Sequence, residues 1–102
     1  AIDLCIIICI IFLMRFTWHE PKRQLTLQKR GLDFAQAEQV FRGPTFTFED
    51  DRQDYGEQRW VTLGLSGDKV LVIVHTESED EIRVISMREA SKNEQLLFFS
   101  NV

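Results

Sequence analysis

Apolar and polar positions change their period along the chain, and the changes mark the elements. Arg15-Phe16-Thr17-Trp18 places aromatics at period two, the signature of a short strand. Glu20-Pro21 then opens a helix, because proline is tolerated in a first turn and presets φ. That helix runs to Arg30 and stops at Gly31, with Lys29 and Arg30 in its last turn, where cations suit the negative end of the dipole. Asp33 and Gln36 form a capping-box pattern for a second helix, whose inner face is Phe34, Ala37, Val40 and Phe41 and whose end is Gly43-Pro44. Thr45-Phe46-Thr47-Phe48 alternates again and reads as an edge strand. Residues 49–57 form an acidic loop, and residues 59–65 the next strand. Ser66-Gly67-Asp68-Lys69 has hairpin composition. Residues 70–77 are nearly continuous in Val, Ile and Leu, as a central strand requires, and residues 82–88 follow a polar turn as the last strand. Ser91-Lys92-Asn93-Glu94 is a second capping box, opening a terminal helix through Leu96, Leu97, Phe98 and Phe99.

The predicted order is β-α-α-β-β-β-β-α. Connections of about four residues between the later strands predict an antiparallel sheet. Helices at the two ends of the chain are expected to pack on one of its faces, an α+β architecture. The chain's 102 residues suffice for one domain.

Residues 4–13 stand apart as an uncharged apolar run holding both cysteines, Cys5 and Cys9. The run is shorter than the roughly 20 residues of a membrane span and lacks the positive flank of a signal peptide. The expectation is that residues 1–13 are an apolar leader outside the natural domain, with Met14 as its start and residues 14–102 as the single domain. The absence of cysteine downstream fits a cytoplasmic location.

The net charge of −4 argues against a non-specific nucleic-acid coat. Charge is nevertheless uneven: residues 15–30 carry Arg15, Lys22, Arg23, Lys29 and Arg30 against Glu20 alone, net +4. Such a helix suits phosphate or an acidic partner, and also an ordinary solvated face. Several familiar motifs fail on geometry. His19-Glu20-Pro21-Lys22-Arg23 lacks the second histidine of a zinc-protease helix. The Asp50–Asp54 pattern has a cation and a tyrosine where a calcium loop needs an oxygen ligand and a glycine. No glycine-rich phosphate loop is present, so neither a metal nor a cofactor is expected.

What remains is a set of polar groups on the last two strands: His75, Thr76, Glu77, Arg83, Ser86 and Arg88. Period two puts His75 and Glu77 on one face. An even-length turn pairs Thr76 with Arg83 and sends Arg83 to the opposite face, whereas an odd-length turn makes all three share a face. The chemistry this set suits is metal-free RNA cleavage. The ribose 2′-OH is the nucleophile, His75 and Glu77 are the acid–base candidates, and Arg83 and Arg88 stabilise phosphate charge. A solvated strand-end histidine and cross-strand ion pairs account for the same pattern without catalysis.

Longer stretches are similar to a known family. Phe16-Thr17-Trp18, Lys22-Arg23-Gln24, Lys29-Arg30-Gly31-Leu32-Asp33-Phe34 and Ala37…Val40-Phe41 resemble the opening of the BrnT toxins. Asp54-Tyr55-Gly56-Glu57-Gln58-Arg59, His75-Thr76-Glu77 and the run from Ile82 to Ala90 resemble its later motifs. The resemblance implies a RelE-like fold and an endoribonuclease toxin of a type II toxin–antitoxin system. It also implies neutralisation by a BrnA-like, DNA-binding ribbon-helix-helix antitoxin, with DNA contacted only through that partner. Lys22, Lys29, Arg30 and Arg59 are then expected to bind RNA. The chain departs from the family pattern at His19, Thr26 and Arg30, where aspartate, asparagine and histidine are usual. Arginine at position 30 cannot exchange a proton as histidine does. The rival reading is a non-catalytic remnant that still docks its antitoxin as a co-repressor.

Overall fold

The computed structural model describes residues 14–102; the apolar leader and its two cysteines lie outside the described residues. Five strands form one sheet: β1 (Arg15–Trp18), β2 (Thr45–Glu49), β3 (Trp60–Ser66), β4 (Lys69–Glu77) and β5 (Glu81–Glu89). Three α-helices accompany it: α1 (Glu20–Arg30), α2 (Ala37–Arg42) and α3 (Lys92–Ser100). A 3₁₀ turn, Phe34–Gln36, precedes α2, and Asp33 closes its capping box with Gln36. The strands lie side by side as β1-β5-β4-β3-β2. Among the described residues no helix is long and apolar enough to cross a membrane.

Two expectations about this sheet are corrected. It is mixed, not antiparallel, because β1 runs parallel to β5, with Phe16 opposite Ile82 and Trp18 opposite Val84. Short turns force antiparallel pairing only on the strands they join, and β1 reaches the others through helices. Helices also cover both faces, not one. Leu71, Ile73, Val84 and Met87 pack against Leu32, Phe34, Ala37 and Val40 on the α2 side. Val61, Leu63, Val70, Val72 and Val74 pack against Phe98 of α3 on the other. A strand apolar on both faces needs cover on both, and β4 is buried from Val70 to His75.

Helix α1 has no buried residue. The part of β5 paired with β1 ends at Val84, and farther along Arg30 of α1 donates from Nη1 to the Met87 carbonyl at 2.8 Å. The helix therefore meets β5 past the end of β1, and a guanidinium satisfies a carbonyl there that no strand reaches.

Candidate active site

The placement of the polar groups follows from one irregularity. Between β4 and β5 the register shifts at Val74/His75: Val74 pairs with Ser86 but His75 pairs with Val84, so Ile85 is an extra residue. Such a bulge reverses which residues share a face. Thr76 pairs with Arg83, the outcome of an even-length turn, so Arg83 lies on the face opposite His75 and Glu77. Past the bulge, Ser86 and Arg88 pair with Val74 and Val72. Arg83, Ser86 and Arg88 thus share the α3 face, while His75 and Glu77 belong to the α2 face.

His75 does not stand at the edge of solvent as expected. It is fully buried. Its Nε2 is 2.7 Å from the Thr62 hydroxyl, which in turn is 2.8 Å from that of Thr47. Phe41 packs edge-on against the imidazole at 5.0 Å between centroids. Burial holds the His75 pKa down at about 4, so the ring is neutral at pH 7. Its Nδ1 lies 3.6 Å from a Glu77 oxygen, too far for a hydrogen bond. Glu77 is half-exposed, and partial burial raises its pKa. The sequence suggested an acid–base pair here; the structure gives a core histidine that a substrate cannot touch.

The arginines form a different constellation. One depression of about 170 Å³ is lined by His19, Lys22, Arg59, Arg83, Val84 and Ile85. A second, of about 280 Å³, shares Lys22 and adds Thr26, Lys29, Arg30 and Ser86. A third, of about 350 Å³, shares Arg30 and Ser86 and continues to Arg52 and Arg88, where Glu49, Asp50, Asp51 and Glu94 also line it. Lys22 is common to the first two and Arg30 and Ser86 to the last two, so the three form a trough that runs from the α1–β5 junction onto the face of the sheet, and the expected RNA-binding residues Lys22, Lys29, Arg30 and Arg59 all line it.

Carboxylates of the same chain neutralise part of this charge. Arg83 donates to both Glu57 oxygens, at 2.8 and 2.9 Å, and Arg59 reaches the same carboxylate at 3.3 Å. The Arg59 guanidinium also stacks on Tyr55, 4.1 Å from the ring centroid. Arg88 makes a two-fold contact with Glu94 at 2.7 Å, which holds the Glu94 pKa down at about 2. Asp50, buried beneath Arg52, receives its Nε and Nη2 at 2.7 and 2.8 Å and the Tyr55 hydroxyl at 3.1 Å. That web holds the Asp50 pKa down at about 2, Arg52 first among its causes. Among the described residues Lys22 and Lys29 have no ion pair. Burial, then the nearby Arg59 and Arg30 cations, depress the Lys22 pKa. Cations crowded without matching acids make a site that gains from an anion.

Sequence reasoning passed over His19, Arg52 and Glu57. His19 was visible only in a failed zinc motif and as a departure in a strand-to-helix junction, and Glu57 only as one carboxylate among many in an acidic loop.

A family model described as "Ribonuclease toxin, BrnT, of type II toxin-antitoxin system" matches residues 18–94, which include every residue of this trough. No curated protein matches the chain.

Proposed function

This chain belongs to the BrnT family of ribonuclease toxins of type II toxin–antitoxin systems, and on that footing we propose that it is a metal-independent endoribonuclease acting in the α1–β5 trough. The observation that carries the reading is the continuity of that trough, which keeps Lys22, Arg59 and Arg83 at one end and Arg30, Arg52 and Arg88 at the other. Successive phosphates of a single strand would lie along it. At Arg83, Arg59, Arg52 and Arg88 a phosphate replaces a carboxylate, so RNA enters by exchanging one anion for another.

The cleavage reaction needs no protein nucleophile and no metal-bound water. The 2′-oxygen attacks the adjacent phosphorus, and charge gathers on the non-bridging oxygens. Arg83 and Arg59 stabilise that charge, and Arg88, Lys22, Lys29 and Arg30 hold the strand on either side. His75 and Glu77 support the sheet from its other face. A BrnA-like ribbon-helix-helix antitoxin would silence the enzyme in the cytoplasm by laying an acidic segment in the same trough, and would make the DNA contacts itself.

The test is substitution in the trough. Arg83→Ala should lower RNA cleavage by at least about 10²-fold, as loss of a charge-stabilising donor does, and Arg88→Ala should lower it by weakening the hold on the strand. Lysine should restore little, because the two-pronged guanidinium is lost. Wild-type rates in a folded Arg83→Ala protein would remove Arg83 from the site. RNA binding without cleavage by the wild-type chain would favour the remnant reading instead.

A further inference from the structure

The chain has two histidines, and the structure separates them completely. His75 is sealed in the core, whereas His19 is exposed at the N-cap of α1. The His19 carbonyl accepts from the backbone amides of Lys22 and Arg23 at 3.0 Å, which fixes its backbone. Its side chain makes no capping hydrogen bond, so the helix leaves the imidazole uncommitted. His19 lines the same depression as Lys22, Arg59 and Arg83. Glu57 meets the same two arginines from the loop before β3. A guanidinium pair fit for one phosphate is therefore accompanied by one imidazole and one carboxylate.

We propose that His19 is the general acid of the cleavage reaction and Glu57 its general base, an assignment that rests on the ribonuclease reading above. A phosphate that takes over the donors of both Arg83 and Arg59 leaves the Glu57 carboxylate free beside the neighbouring 2′-hydroxyl. An ionised carboxylate only accepts, and an imidazolium only donates, so their roles follow from their chemistry. Glu57 takes the 2′ proton as the 2′-oxygen–phosphorus bond forms. The bond from phosphorus to the 5′-oxygen breaks, and the His19 imidazolium gives that oxygen its proton. The products are a 2′,3′-cyclic phosphate and a 5′-hydroxyl. Exchange with water returns both side chains to their starting states. The departure from aspartate at position 19 thus supplies an ionisable ring to a trough where position 30 holds an arginine that cannot exchange a proton.

The test uses the full 102-residue chain and two oligoribonucleotides, one ordinary and one with sulfur bridging at the 5′ position. A thiolate leaves without protonation, so the second substrate does not need a general acid. His19→Asn keeps a good N-cap residue and hence the helix. It should slow the ordinary substrate by 10²-fold or more, the usual yield of a positioned acid, yet cleave the sulfur substrate within a few-fold of wild type. Glu57→Gln should slow both. Equal losses on both substrates, or no loss on either, would overturn the assignment of His19, and an unimpaired Glu57→Gln would overturn that of Glu57. A wild-type chain that cleaves neither substrate would instead overturn the ribonuclease reading itself.

Discussion

His75 shows how one residue's surroundings turn a plausible catalyst into a structural group. An imidazole between Thr62 and Phe41 has no water to stabilise its cation, so protonation must wait for unfolding. The folded pKa of about 4 lies below the ordinary 6.5. Between these values the unfolded chain binds a proton that the folded one does not, and stability rises with pH. His75 therefore contributes stability that is complete above about pH 6.5 and is lost as pH falls to about 4, on the order of 3 kcal/mol in all. Denaturant titrations of wild type and His75→Gln at pH 7 and pH 5 should show that slope in the wild type and its loss in the variant. Equal pH dependence in both proteins would mean the ring titrates normally. Glu77, whose pKa is raised, contributes with the opposite sign and is common to both proteins. Asp50 and Glu94, held at about 2, lose their contributions at lower pH still.

Helix α2 and strand β3 approach so closely that a glycine is required where they meet. A Cβ on Gly64 would lie 2.5 Å from Val40 Cγ1 and 3.3 Å from Thr45 Cγ2. Val40 is buried and cannot swing aside. Gly64→Ala should cost about 1–3 kcal/mol by overpacking, read as a lower melting temperature, and an unchanged one would show that α2 shifts freely. The elements themselves were legible because their signals are local. Gly31 ends α1 at φ 69°, and the Asp33/Gln36 and Ser91/Glu94 boxes form as their spacing predicts. The bulge at Ile85 was not legible, since it depends on how β4 and β5 meet. It decides that Arg83 joins Ser86 and Arg88, and so it decides the site. The parallel pairing of β1 escaped for the same reason: no turn joins β1 to β5.

The molecule carries a net charge of −4 and still presents a trough that is cationic at its α1–β5 end, because its basic helix lies against its arginine-bearing strand. Composition and charge were legible as totals, and the basic stretch in residues 15–30 was legible as a patch. The trough was not, because its walls come from α1, the loop before β3 and β5, which only the fold brings together. The acidic loop supplies Glu57 and Asp50 as internal counterions to Arg83 and Arg52. The central claim is that this trough cuts RNA through the 2′-hydroxyl without a metal. It is tested most directly by incubating the purified chain with a defined oligoribonucleotide in excess EDTA and analysing the new ends. The account predicts 2′,3′-cyclic phosphate and 5′-hydroxyl ends, at a rate EDTA leaves unchanged and Arg83→Ala lowers at least about 10²-fold. Cleavage abolished by EDTA, or equal cleavage of an oligonucleotide lacking 2′-hydroxyls, would contradict it.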